Sequence, residues 1–374
     1  MMAQDRRLLG LAVAAYLLCA ALYSAVIPIF EGFDAQAHFA AALYYRSERS
    51  LPVLTPELVK RSYELVPHPP LYYVLAGAAG APWPADTAVQ TAQQSVNAYF
   101  DKSLSTRQSV TLPGVPWQAL APAYAARFVA VVGGLILLLC TWWTARRLLP
   151  SAPSFALAAA LVAALNPQFL FTAVTISNDA WAAATAALAL AVGVEVTIRG
   201  RSPRAWLWVG AAVGLAGLTK YSTLAVALPL GILWLLYWRQ RGWRAALRAL
   251  GWAAGGFAVV AGWWFVRNWL LYGEVIPLNR MAQVLPTMRR PEPYTWARTF
   301  ANIPWLIASF WGVFVAVIAP AIYLDVTRWF MGIGLLGLLI YPISATVRTF
   351  GAQASSPALP ARVQARTPPT RRVG

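Results

Sequence analysis

Charge is what this chain has least of. Only 11% of its 374 residues are Asp, Glu, Lys or Arg, against about a quarter in soluble domains. Hydrophobic residues make up 59% and the mean hydropathy is +0.55. One water-soluble core of this length could not hide so much apolar surface. Cysteine is scarce too: Cys19 and Cys140 both lie inside apolar runs, which argues against a disulfide framework or a thiolate metal site. Small buried hydrophobes is the plainer reading of both. Lysine is nearly absent, with Lys60, Lys102 and Lys220 the only three among 30 basic residues. Acids number 13, so the formal net charge is +17. Such a balance can mark a nucleic-acid binder. Here the arginines cluster between apolar runs, where they act as topology signals and contacts for anionic lipid. No nucleic-acid partner is expected.

What the chain has in quantity is apolar runs long enough to cross a bilayer. They predict spanning helices at about 8–28, 122–145, 153–175, 179–198, 205–219, 222–238, 249–269, 302–323 and 329–347. The first run follows Arg6 and Arg7, as a signal peptide would, but it stays apolar as far as Pro28 and reads as a retained helix. Residues 29–121 lack a spanning run and form a large first loop, with interfacial helices expected at 34–47 and 70–80 and an irregular stretch at 84–118. Residues 350–374 are rich in Pro, Ser, Ala and Arg, the composition of a disordered basic tail. The expected fold is therefore an all-α polytopic membrane protein of about nine transmembrane helices over 1–349.

Arginine placement orients it. Arg6 and Arg7, Arg146 and Arg147, Arg199, Arg201 and Arg204, and Arg239, Arg241, Arg244 and Arg248 fall on one side if spans alternate. That side is the cytoplasm, so the N-terminus is cytoplasmic and the 29–121 loop lies outside. Glu195, four before Arg199, reads as a paired surface group.

The remaining conspicuous polar residues then gather at the outer face: Glu31, Asp34, His38, His68, Arg127, Asn178, Asp179, Lys220, Arg267 and Asn268. Polar helix ends are the plain alternative to a shared site. In FEGFDAQAHF (30–39), Asp34 and His38 are one helical turn apart, with Glu31 just before. A carboxylate there suits a general base, and Asp34 equally suits a helix N-cap. The residues give little support for a divalent metal at Glu31, Asp34 and His38. In HPPLYYVL (68–75), His68 opens an interfacial helix behind two prolines. Asn178 and Asp179 in ISNDAW suit either a cap or a hydrogen-bonding wall for a polar head group. Lys220 in GLAGLTKYSTL suits a lipid phosphate, with snorkelling to the interface as the alternative. Arg267 in WFVRNWLLYGEVIP suits the same phosphate in a forked geometry, and Arg127 is a third cation.

These segments, with PIFEGFDAQAHF, NPQFLFTAVTISNDAW and SFWGVF at 309–314, resemble the GT-C superfamily of membrane glycosyltransferases. The likeness is to bacterial relatives of protein mannosyltransferases and aminoarabinose transferases. It implies a GT-C-like bundle and transfer of a sugar from a polyprenyl-phosphate donor to a glycan, lipid or protein acceptor, in the bacterial inner membrane. It implies inversion at the sugar, Asp34 as catalytic base with Glu31 and His38 beside it, and basic residues on the donor phosphate. The donor is a substrate, and the sequence establishes no cofactor, a divalent metal being possible but unsupported. The sequence departs from the family in two ways. Ala35 follows Asp34 where relatives often carry a second acid, and relatives are usually longer. A truncated, inactive relative and a transporter or flippase of lipid-linked sugars are the alternative readings.

Overall fold

A computed structural model describes residues 3–60, 68–100, 107–111, 113–285, 293, 295–315 and 317–354. The chain forms two compact units, Met1–Ala319 and Pro320–Gly374. In the first, the helices are α1 (Ala3–Val26), α2 (Ala35–Glu48), α3 (Pro56–Lys60), α4 (Leu71–Ala79), α5 (Asp86–Gln94), α6 (Trp117–Leu148), α7 (Pro153–Ala164), α8 (Pro167–Ala173) and α9 (Asp179–Ile198). There follow α10 (Trp206–Gly217), α11 (Ala227–Arg241), α12 (Trp243–Phe257), α13 (Trp263–Tyr272), α14 (Leu278–Val284) and α15 (Trp296–Gly312). A two-stranded antiparallel hairpin, β1 (Val313–Phe314) and β2 (Val317–Ile318), pairs Val313 with Ile318. In the second unit, α16 spans Ala321–Ala354. It runs into the region expected to be disordered from 350 onward; residues 355–374 of that tail lie outside the described ones.

The protein is all-α and polytopic. Among the described residues five helical stretches are long and apolar enough to cross a membrane: Gln4–Val26, Trp117–Leu148, Asp179–Ile198, Tyr221–Arg241 and Trp243–Tyr272. A sixth arises if α7 and α8, bent by 63°, count as one broken span. The expected nine are thus not all found. The stretch at 205–219 yields the 12-residue α10, about 18 Å long against a hydrocarbon core of about 30 Å. The stretch at 302–323 is interrupted by the hairpin. The bend between α7 and α8 comes from Asn166-Pro167: Pro167 has no N–H to donate, and the Asn166 side chain caps α8 by accepting from the Phe169 amide at 3.1 Å.

Lipid as solvent explains the outer surface. Leu11, Leu18 and Leu22 on α1 and Leu228 and Ile232 on α11 all point outward, more than half exposed. Inside, small residues let helices touch. A Cβ on Gly210 of α10 would lie 1.8 Å from the Ala253 carbonyl oxygen of α12, and one on Gly256 would lie 2.0 Å from that of Leu207. Close backbone approach of this kind drives helix association in membranes.

Two ends of the bundle are chemically distinct. At one, Arg146 of α6 pairs with Asp5 of α1 at 3.0 Å, and Arg147 pairs with Glu195 of α9 at 3.0 Å. Glu195 also takes Arg199, as its spacing suggested, and Arg241 donates to the Gly200 carbonyl. At the other end, α2, α4 and α5 of the first loop pack on one another and over α6. The loop stretch at 84–118, expected to be irregular, includes α5 and a bridge between Val96 and Ser109.

Candidate active site

The first loop is fixed from below by Arg127. Its Nη1 donates to the Ser24 and Ile27 carbonyls at 3.0 and 3.1 Å, and its Nη2 to that of Pro28 at 2.7 Å. The carbonyls at the end of α1 have no partners within the helix, and a cation suits that negative end. Arg127, 2% exposed, thereby commits both terminal nitrogens to the backbone, while its Nε has no partner among the described residues.

Glu31 is likewise committed. Its carboxylate accepts from the backbone amides of Gln108 and Ser109 at 3.2 and 2.8 Å, tying two parts of the loop together across 77 and 78 residues. Gly32 follows at φ 154°, where a Cβ would sit 2.9 Å from that of Thr175. This close approach presses the loop onto the α8–α9 connection.

Asp34 is different. It stands at the N-cap position of α2 with φ 55° and ψ 23°, and its side chain makes no capping hydrogen bond. A non-glycine residue in the left-handed region costs about 1 kcal/mol or more and is common at functional sites. The carboxylate is exposed. Of the two readings the sequence left open, the cap is the one whose bond does not form.

One turn on, His38 is 5% exposed and its Nδ1 shares a 2.9 Å hydrogen bond with the Tyr73 hydroxyl. Tyr73 comes from α4, which starts where the Leu71 amide donates to the Leu218 carbonyl at 2.9 Å. The same anchor places His68, whose ring meets that of His38 edge-on at 6.3 Å between centroids. Burial, His68 and Lys220 depress the His38 imidazolium to a pKa of about 3, with Asp179 pulling the other way. Burial and Lys220 hold His68 at about 4. Both rings are neutral near pH 7, and each then carries one donor and one acceptor nitrogen. Burial and neighbouring phenols and carboxylates push the Tyr73 hydroxyl well above its ordinary range.

The α8–α9 connection supplies the other wall. Asn178 is fully buried, and its amide donates to the Thr219 carbonyl at 3.1 Å. Its Oδ1 has no partner among the described residues. Asp179 opens α9, where the helix dipole favours an anion. It accepts from Ser177 Oγ at 2.8 Å and from Lys220 Nζ at 2.5 Å. So Lys220 does not snorkel freely: it is paired, with about a third of its side chain open to solvent and two fifths of Asp179's.

Arg267 stands apart from these groups. It donates to the Leu51 and Pro52 carbonyls at 3.1 and 2.7 Å and lies over the Trp264 ring. Asn268 donates to Tyr221 Oη and the Val275 carbonyl, at 3.1 and 3.2 Å. Both hold the 51–54 and 273–276 loops in place.

Beside Asp179 lies a cavity of about 830 Å³ between α6, α7, α8, α9 and α15. Phe33, Phe155, Phe169 and Phe310 line it, and Asp179 and Gln168 are among its few polar members. Phe33 immediately precedes the exposed Asp34 in the chain. Among the described residues no group of three His, Cys, Asp or Glu side chains stands close enough to hold a metal ion.

The structure thus gathers His38, His68, Asp179 and Lys220, puts Asn178 behind them and Asp34 beside them, and assigns Glu31, Arg127 and Arg267 backbone contacts. It adds Tyr73 and Ser177, to which the sequence reading gave no role. Tyr73 had one signal, its place three residues after the HPP turn in an aromatic pair.

Residues 121–265 match the family model described as dolichyl-phosphate-mannose-protein mannosyltransferase. The matched stretch contains Arg127, Asn178, Asp179 and Lys220 and excludes Asp34, His38, His68 and Arg267. No match is found among curated proteins or among solved structures. That stretch, from α6 into α13, is similar to a family of membrane glycosyltransferases of the GT-C superfamily.

Proposed function

We propose that this protein transfers a sugar from a polyprenyl-phosphate-linked donor to an acceptor at the extracytoplasmic face of the bacterial inner membrane. The observation that carries the reading is Asp34: an exposed residue held in a left-handed conformation without a capping bond, one position from Phe33 in the cavity lining and one helical turn from buried His38. Asp34 takes the proton from the acceptor hydroxyl or amine. The acceptor heteroatom forms the new bond to the anomeric carbon from the face opposite the phosphate. The bond from that carbon to the phosphate oxygen breaks, its electron pair leaves with the lipid phosphate, and the sugar centre inverts. Lys220 stabilises the departing charge, exchanging Asp179 for the phosphate as the donor enters. The lipid chain lies in the cavity lined by Phe155, Phe169 and Phe310. Neutral His38 and His68 and the free Oδ1 of Asn178 hydrogen-bond the sugar or its phosphate. Glu31, Arg127 and Arg267 act by holding the loops that carry these groups.

The orientation follows from the arginine clusters, which gather at the end of the bundle away from Asp34. A transfer assay tests Asp34. Purified protein in liposomes is given a short-chain polyprenyl-phosphate mannose, and new glycosidic bonds are counted by mass spectrometry. Asn tolerates left-handed backbone as well as Asp does, so Asp34→Asn should fold normally and lose transfer by about 10²- to 10⁴-fold, the usual contribution of a general base. Full transfer by a folded Asp34→Asn protein would refute the mechanism. Donor movement across the bilayer without a new bond would favour a carrier instead.

A further inference from the structure

At the end of the bundle away from Asp34, α1, α6 and α9 enclose a second cavity of about 680 Å³. Its lining on α6 runs from Leu139 to Arg147, about 12 Å along the helix axis. Leu9, Leu139 and Trp142 make it apolar toward the middle of the bundle, and Arg147 and Arg199 make it basic toward the end. The charges do not cancel. Among the described residues Asp5 is matched to Arg146 alone, at 3.0 Å. Glu195 serves Arg147, Arg199 and Arg201 together, at 3.0, 2.6 and 3.8 Å. Two carboxylates therefore face four guanidiniums at this end, and Asp5 with Arg146, Arg147 and Arg199 line the cavity itself, where unbalanced cations at a membrane boundary need an anion. Arg147 also lies over the Trp143 indole, with its Cζ 5.1 Å from the ring centroid, which leaves the planar guanidinium displayed beside an interfacial aromatic. Guanidinium forks match phosphate oxygens.

We infer that this cavity binds the head group of an anionic phospholipid. The phosphodiester lies against Arg147 and Arg199, and the first carbons of its acyl chain lie against Leu9, Leu139 and Trp142. It is a lipid site at the opposite end of the bundle from the proposed donor site, and it stands whether or not the protein transfers sugars.

The test uses the full-length protein, delipidated in detergent, with thermal stability followed during titration. Phosphatidylglycerol should raise the melting temperature saturably, as any ligand of the native state must. Phosphatidylcholine and inorganic phosphate should not. Arg147→Gln with Arg199→Gln should shift the phosphatidylglycerol midpoint by about tenfold or more, while Lys220→Ala, at the other end, should leave it in place. Should the double variant fail to fold, native mass spectrometry of the wild type decides. Retention of phosphatidylglycerol over phosphatidylcholine through delipidation supports the site, and equal loss of both overturns it. An equal response to the two lipids, a response to phosphate alone, or an unchanged midpoint in the folded double variant also overturns it.

Discussion

Acidification should loosen the outer layer of this protein, and the size of the effect follows from two histidines. His38 and His68 sit at pKa values of about 3 and about 4 in the folded protein, whereas an exposed histidine titrates near 6.5. Between those values the opened state binds protons that the closed state refuses. Stability is therefore complete above about pH 7 and falls as the pH drops toward 4, flattening near 3. At pH 5 each histidine freed by an opening favours the open form about 30-fold, or about 2 kcal/mol. If α2 and α4 open together, both histidines contribute and the loss is about 4 kcal/mol. Deuterium exchange of the α2 and α4 amides at pH 7.5 and pH 5, corrected for intrinsic rates, reads the opening constant directly. His38→Gln should remove one 30-fold factor and the double His38→Gln, His68→Gln variant both. Asp34, Asp179, Lys220 and Tyr73 remain in the double variant, which separates their contribution from that of the rings. Protection that is independent of pH in the wild type would refute the reasoning. So would an equal fall in the double variant.

Two further predictions concern stability. Arg127→Gln should destabilise the protein by about 3 kcal/mol or more, because the Ser24, Ile27 and Pro28 carbonyls lose their donor; thermal unfolding in detergent measures it, and an unchanged melt would show that water or lipid replaces the guanidinium. Gly210→Ala should cost about 1–3 kcal/mol by forcing α10 from the Ala253 carbonyl, whereas Gly251→Ala, with nothing within 4 Å of its new Cβ, should be neutral or mildly stabilising in the same assay.

The loop helices show how far local signals reach. The aromatic and alanine-rich patterns after Asp34 and His68 announced α2 and α4 within a residue or two, since turn prolines and helix periodicity act over a few positions. The span count fell short for a related reason: hydropathy measures how apolar a run is, and a run such as 205–219 can be apolar yet form only 12 α-helical residues, packed against α9 and α12.

The same division holds at the candidate site. Composition and apolar runs by themselves determined a polytopic membrane protein, because no aqueous core accommodates this much hydrocarbon surface. The spacing of arginines separated a basic end from one carrying Asp34, His38, Asp179 and Lys220. What each polar residue is bonded to was decided only by the tertiary structure. Lys220 and Asp179 meet across 41 positions, Arg127 reaches carbonyls about 100 positions earlier, and Glu31 accepts amides nearly 80 positions later. A cation at a membrane boundary needs an anion or a carbonyl, but its sequence neighbours do not say which. Helix packing brings one of them within 3 Å, and so separates the residues that hold the scaffold from those left facing the cavity.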